Sequence, residues 1–449
     1  MSKQRIQLSD HFTYSRLLRF VLPCIGTMLF TSIYGIVDGL CVSNFVGKTA
    51  FAAVNLIMPL PMLLGTIGFM LGTGGSAIVG ITLGEGDQKK ADRYFTLFLL
   101  AALISVSVLA VLGIVFLRPI AVLLGAKGEL LDYAVRYGRI LMVSLPTFAL
   151  QNMFQSFFVT AEKPHLGFWF TVGAGCTNMV LDVLMVGVWG WGVEGAAIAT
   201  FISQLVGGVL PVFYFVDRSN TSRLHLCQTK VYGGVLRDAC INGSSELMTN
   251  LSMSLVNILY NYQLLRLAGE NGVAAYGVIM YAAFLFVAVF VGYAVGSAPI
   301  VSFHYGARNH AEVHNLYQKS LRLIAVVAVT LTLASMFIIP CVARVFVGYD
   351  SELLALTSRA FRLYALSFLI MGFNVYASSF FTALGDGVTS ALISFLRTLA
   401  FQVIAILLLP MLLGIDGIWL AVTAAELAAL AVSAAMLLTK DKVFHYRKA

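Results

Sequence analysis

Two carboxylates stand in runs of sequence that are otherwise apolar, and each has polar company at helical spacing. Asp182 lies in the stretch TNMVLDVLMVG, four residues after Asn178. Asp38 closes a series with Thr27, Thr31 and Tyr34 at offsets of 0, 4, 7 and 11. At about 100° per residue that series is one narrow stripe of a helix. Thr200 and Gln204 repeat the i,i+4 spacing, and Asn152, Gln155 and Ser156 share one side of another helix. A lone Asn or Thr in such a setting is more often glue between helices, worth roughly 0.6 kcal/mol per hydrogen bond. Two aspartates without a basic neighbour are different. The candidate partners Lys163, Arg16 and Arg19 belong near a membrane surface. Unpaired carboxylates in low dielectric call for a cation: a proton taken up through coupled titration, or Na⁺ held by Asp38, Asn178, Asp182 and the oxygens around them.

A second stripe joins Glu246, Asn250, Met253, Asn257 and Asn261 at offsets of 0, 4, 7, 11 and 15. A Glu at a helix start also suits the positive end of the helix dipole, but the asparagine ladder below it favours a cavity wall. With Tyr34 and Gln155, the members Glu246, Asn250, Met253 and Asn257 are candidates for a substrate cavity. Arg397 and Glu426 are the remaining charges within apolar segments, and their spacing suits a structural ion pair.

The elements that position these groups must be membrane helices. Of 449 residues 59% are hydrophobic and 11% charged, with a mean hydropathy of +0.89. A soluble domain carries about a quarter charged residues. Twelve segments reach the roughly 20 apolar residues that span a bilayer, with the seventh at 240–265, the eighth at 273–302 and the tenth at 360–383. Nineteen Lys and Arg fall on the side of the termini and nine on the other, Lys48 among the nine. That asymmetry predicts a multi-pass protein of the cell (inner) membrane with both termini cytoplasmic. It also accounts for the net charge of +8 without nucleic acid. The basic start, which includes Lys3 and Arg5, runs into a long apolar segment and reads as retained rather than as a cleaved signal. Six scattered cysteines, Cys41 among them, lack zinc or disulfide spacing. VSNFVGKT lacks the first glycine of a phosphate loop, and neither HExxH nor GxSxG occurs, so no enzyme, metal centre or cofactor is indicated.

The sequence repeats itself at an offset of 222. Ala52/Ala274, Met58/Met280, Gly74/Gly296, Gly84/Gly306, Asn152/Asn374, Thr160/Thr382 and Gly195/Gly417 match without a gap. The expected architecture is all-α, with twelve transmembrane helices in two six-helix bundles related by a pseudo-two-fold axis along the membrane normal. Residues 1–216 form the N-terminal lobe, 217–238 a cytoplasmic linker and 239–449 the C-terminal lobe. Parallel repeats of this kind are a transporter architecture.

The chain resembles the multidrug and toxic compound extrusion (MATE) family over nearly its full length. The resemblance rests on Pro23 and Asp38 in LPCIGTMLFTSIYGIVDGLCVSNFVG, on TNMVLD, on GVEGAAIAT and on SSELMTN. It implies export of drugs and toxic organic cations in exchange for inward Na⁺ or H⁺, by a protein expected to act as a monomer in the lipid bilayer. It implies a cation-coupling site similar to Asp38, Asn152, Asn178, Asp182 and Thr200, and an acidic residue at Glu246. Asn374 stands where some members carry a second acid, and it joins the candidate cavity. The alternative is a lipid-linked saccharide flippase of the same superfamily. Flippases favour basic central cavities, and Arg397 is the sole basic candidate here.

Overall fold

The computed structural model describes residues 6–348 and 350–447, with the side chains of residues 36, 39–44, 48, 51, 345 and 346 outside the description. Lys3 and Arg5 lie outside it, as do the side chains of Cys41 and Lys48. Every regular element among the described residues is a helix, and residues 217–232 between the two halves are irregular. The first half contains α1 (Tyr14–Phe45), α2 (Lys48–Ile57), α3 (Pro59–Gly84), α4 (Gln88–Leu123), α5 (Gly128–Thr160), α6 (Pro164–Asp182), α7 (Gly192–Gly208) and α8 (Leu210–Val216). The second contains α9 (Gly233–Asn242), α10 (Ser244–Gly306), α11 (His310–Val347), α12 (Ser351–Ala365), α13 (Phe368–Ala383), α14 (Gly387–Phe395), α15 (Phe401–Leu413), α16 (Ile415–Thr439) and α17 (Asp441–Phe444). Two π-helical turns, Val183–Val188 and Leu396–Ala400, follow α6 and α14.

Nine helices among the described residues are long and apolar enough to cross a membrane, and the pair α12 and α13, bent by 46°, adds a tenth. α10 runs for 63 residues but breaks at Gly269, whose φ of 60° and ψ of −149° are not helical. It therefore supplies two crossings, where the sequence predicts a seventh and an eighth. α5 is the remaining one, less apolar because Glu129, Asp132, Arg136 and Arg139 occupy its first turns. The protein has twelve transmembrane helices in two bundles.

The repeat is written into the backbone at the helix joints. Left-handed residues recur 222 positions apart, at Gly47 and Gly269, Gly86 and Arg308, and Gly192 and Gly414. After two of these joints the caps also correspond. Asp87 Oδ1 accepts from the Lys90 backbone N–H at 3.0 Å, and Asn309 Oδ1 accepts from that of Glu312 at 3.2 Å. The lipid-facing stripes follow the same offset. Ile104, Val111 and Val115 of α4 are exposed, as are their counterparts Val326, Leu333 and Phe337 of α11. An exposed apolar surface this extensive needs lipid to cover it.

The lobes meet where α3 crosses the second half of α10. A Cβ on Gly84 would run into the carbonyl of Phe303, and one on Gly306 into the carbonyl of Ile81, the repeat counterpart of Phe303. Gly74 meets α9 and Gly243, while Gly296 meets Val21 and Cys24 of α1. The backbones touch because the side chains are absent.

An arm at residues 6–13 closes over the same face. Leu8 and Phe12 are fully buried. The Leu8 N–H donates to Glu162 Oε1 in the N-lobe at 2.9 Å, and Arg223 Nη1 meets the same oxygen at 2.6 Å. The Phe12 N–H donates to Glu312 Oε1 in the C-lobe at 2.8 Å, and His11 Nδ1 lies 2.6 Å from Glu312 Oε2. Lys319 Nζ and Asn315 Nδ2 donate to the Phe12 carbonyl at 2.6 and 3.2 Å.

Gly84→Ala and Gly306→Ala are each expected to cost about 1–3 kcal/mol, because the added methyl meets backbone that cannot turn away. Gly277→Ala, which faces open space, should change stability by well under that. Chemical unfolding of the purified protein in detergent measures all three.

Candidate functional site

Asp182 is the last residue of α6, immediately before the first π turn. A π turn widens the helix by one residue per turn and re-aims the side chains that flank it. α6 packs between α1 and α7, which brings Asp182 to Asp38. Asp182 is wholly buried. The two carboxyl groups lie within hydrogen-bonding reach of each other. Both oxygens of Asp182 and Oδ1 of Asp38 are buried without a donor. Asn178 Nδ2 donates to Thr200 Oγ1 at 3.5 Å, and Thr200 Oγ1 donates to the Ala196 carbonyl at 3.0 Å. That leaves Asn178 Oδ1 buried and unpartnered, together with Gln204 Oε1 and Thr31 Oγ1.

The result is an acidic pair without a donor, with further unpartnered oxygens on the same three helices, α1, α6 and α7. Oxygen sets of this kind suit a hard cation or a proton. Asp38, Asp182 and Asn178 would hold Na⁺, and a proton would bridge the two carboxyls. Of the candidate coupling residues, the structure brings Asp38 to Asp182 and Asn178 to Thr200. Asn152 is buried on α5, where its backbone faces Gly72 of α3. Its Nδ2 lacks a partner, and no bond joins it to the acidic pair among the described residues.

Tyr137 is a member the sequence reading missed. Its hydroxyl, fully buried on α5 and unpartnered, lies within electrostatic range of both aspartates. It shares a face of α5 with Asn152, but a tyrosine in a membrane helix is common enough to pass unnoticed.

The substrate-sized space lies elsewhere. A cavity of 330 Å³ is lined mainly by the C-lobe, with Thr73, Ser76 and Ser156 contributed by α3 and α5. Glu246, Met253 and Asn257 line it as the helical stripe predicts. Tyr260 and Tyr276 stack beside them with centroids 4.9 Å apart, and the Tyr276 hydroxyl donates to Asn257 Oδ1 at 2.9 Å. Four other candidates do not line it. Asn250 turns back to donate to the Glu246 carbonyl at 2.9 Å. Tyr34 packs in the N-lobe against Phe30 and Gly175. Gln155 lines a small cleft with Thr27, Met28 and Val295. Asn374 is fully buried behind the wall, where Nδ2 donates to Glu426 Oε2 at 2.7 Å.

Arg397 and Glu426 do line the cavity. They pair at 3.3 Å, with side-chain exposures of 12% and 1%. The second π turn carries Arg397, which no hydropathy pattern announces. The sequence reading placed this pair as structural cement, and it is also cavity wall.

Two helical lobes, a buried acidic pair in one and a mixed polar and aromatic cavity in the other define a membrane transporter, not an enzyme. A family model, MatE, matches residues 23–184 and again 247–408, once in each lobe. The chain belongs to this family, the MATE family of multidrug efflux transporters. The multidrug export protein MepA of Staphylococcus saprophyticus is 21% identical over 436 residues, covering 96% of this chain and 95% of MepA. A crystal structure of MATE in complex with MaL6 superposes with a TM-score of 0.92 at 22% identity, over 100% of both chains. So does an outward-facing multidrug resistance MATE transporter of the MOP superfamily, at 0.92, 22% and 100% of both. At this identity the structural likeness carries the fold.

Arg397→Gln leaves Glu426 buried and unpaired, and is expected to cost about 3–5 kcal/mol. Arg397→Gln with Glu426→Gln removes both charges and should recover most of that loss. Thermal unfolding of the two variants and the parent protein checks it.

Proposed function

We propose that the protein is a secondary active exporter that moves organic, often cationic, compounds outward in exchange for inward Na⁺ or H⁺ by alternating access. The observation that carries this reading is the separation of the two sites. The ion-binding acids stand in the N-lobe, and the cavity stands in the C-lobe. The shared name of the MepA relatives, multidrug export protein, supports the same direction and substrate class.

The chemistry follows from charge. With both aspartates ionised, repulsion holds α1 and α6 apart; a bound proton or Na⁺ removes it and lets the helices close. Residues 1–216 and 239–449 act as the moving lobes, tethered by 217–238. The arm and the glycine crossing shut the face that carries the termini, so the cavity is served from the opposite side in this state. In the cell (inner) membrane, with termini in the cytoplasm, that is an outward-facing state. The cavity holds two carboxylates against one guanidinium, which favours cations over the anionic lipid carriers a flippase would take. The unit is a monomer, since both sites are complete within one chain.

Reconstituted liposomes with an imposed Na⁺ gradient or an imposed pH gradient test the coupling. One gradient should drive efflux of a fluorescent organic cation. Asp182→Asn and Asp38→Asn should each reduce that efflux to the level of protein-free liposomes. Full-rate efflux in both variants would sink the cation-site assignment.

A further inference from the structure

Glu162 holds a backbone conformation that side chains avoid. It is the middle residue of the joint between α5 and α6, at φ 60°. The middle residue of the matching joint between α13 and α14 is Gly385, at φ 83°. The left-handed region is costly for any residue with a Cβ, and such strain persists where the side chain has a task. The task shows in its bonds. The buried carboxylate of Glu162 accepts from the Leu8 backbone N–H of the arm at 2.9 Å and from Arg223 of the linker at 2.6 Å. The Arg223 guanidinium lies over the ring of Phe303 in the C-lobe, 4.8 Å from its centroid. At the other end of the arm, Glu312, Asn315 and Lys319 stand at offsets of 0, 3 and 7 on α11. They hold the Phe12 backbone, Glu312 by its N–H and the other two by its carbonyl. Their repeat counterparts on α4 are Lys90, Arg93 and Leu97. Lysine and arginine side chains cannot accept a hydrogen bond, so α4 does not repeat this receptor.

We propose that residues 6–13 are a latch across the two lobes, which must leave Glu312 each time the lobes part on the face that carries the termini. This rests on the reading of the protein as an alternating-access exporter. Phe12 stands two residues before α1, a helix of the N-lobe, and two residues reach at most about 7 Å. It cannot stay with α11 when α1 moves off with its own lobe. Leu8 has no such conflict, because Glu162 and α1 belong to one lobe. The latch therefore opens at Glu312 and stays hinged at Glu162. Its release strands a buried carboxylate and uncovers the Phe12 ring, which packs edge-on between Phe20 of α1 and His304 of α10. Glu312 does not line the cavity; it acts on the opening of the lobes and not on the substrate.

A removable tether tests the release. In the full chain with its six cysteines replaced by alanine, His11→Cys and Glu312→Cys take the place of the 2.6 Å contact between those side chains. A short bis-methanethiosulfonate then links the two thiols. In liposomes, under the gradient that drives the parent protein, the linked variant should export a fluorescent organic cation no faster than protein-free liposomes leak it. Thiol reduction should restore export. Equal rates before and after reduction overturn the proposal. A parent protein that exports under neither gradient overturns the exchange reading, and with it the cycle that the latch serves. Hydrogen exchange on the purified protein reads the latch without transport. In Glu312→Ala the amides around Gly84 and Gly306 should exchange about tenfold faster than in the parent, the scale of the charge-assisted bonds removed. Those around Gly195 and Gly417, at the opposite ends of the bundles, should keep their rates. Parent rates at both ends, or faster exchange at both, overturn the proposal.

Discussion

Two carboxylates that share a buried space with no donor between them cannot both stay charged. At 4 Å and an effective dielectric of about 20, like charges repel by roughly 4 kcal/mol, before the cost of burial is counted. The N-lobe is arranged around that constraint. α6 ends at Asp182 and continues as a π turn, so the acid points inward instead of following the helix to lipid. Asn178 spends its donor on Thr200 and turns its acceptor into the same space. The unpartnered hydroxyl of Tyr137 near the pair is neutral, so among the described residues no side-chain cation balances the two acids.

The repeat gives both lobes one backbone and lets their chemistry diverge. The counterparts of Asp38 and Asp182 are Tyr260 and Ile404, so the C-lobe has no acidic pair at those positions. The counterparts of Glu246 and Arg397 are Cys24 and Gly175, so the N-lobe has no charge where the C-lobe has its cavity. Glu426 corresponds to Gln204, and Asn374 to Asn152. Each lobe has kept the joints, caps and glycine crossings and has specialised the polar interior. The two-fold relation at the α3/α10 crossing survives because backbone touches backbone there, and substitution elsewhere leaves that contact alone.

Much of this was legible in the chain. Hydropathy against a few charges found Asp38 and Asp182, since a carboxylate in an apolar run is conspicuous. Helical phase found the wall residues Glu246, Met253 and Asn257. The offset of 222 found the two bundles, because repeated helix ends need repeated glycines. Phase failed at Asn250 and Asn374, where a side chain bonds to its own backbone or to a buried partner instead of facing the cavity. It failed at Tyr34, which packs against Phe30 inside the N-lobe, and at Gln155, which turns to a small cleft while its neighbour Ser156 reaches the cavity. Arg397 was invisible as a wall residue because a π turn changes the periodicity on which phase is read. α10 looked like two helices and is two, because the non-helical φ and ψ of Gly269 break it.

The arm sets an order on assembly. Leu8 bonds to a residue 154 positions later, and Phe12 to one 300 positions later. The arm is therefore fixed at both ends only after α11 has been made and placed. Until then its two buried side chains have no home, and the face between the lobes has no cover. Contacts of such high sequence separation form late and at an entropic cost. Here the delay means that the lock on one side of the protein forms only once the C-lobe exists to receive it.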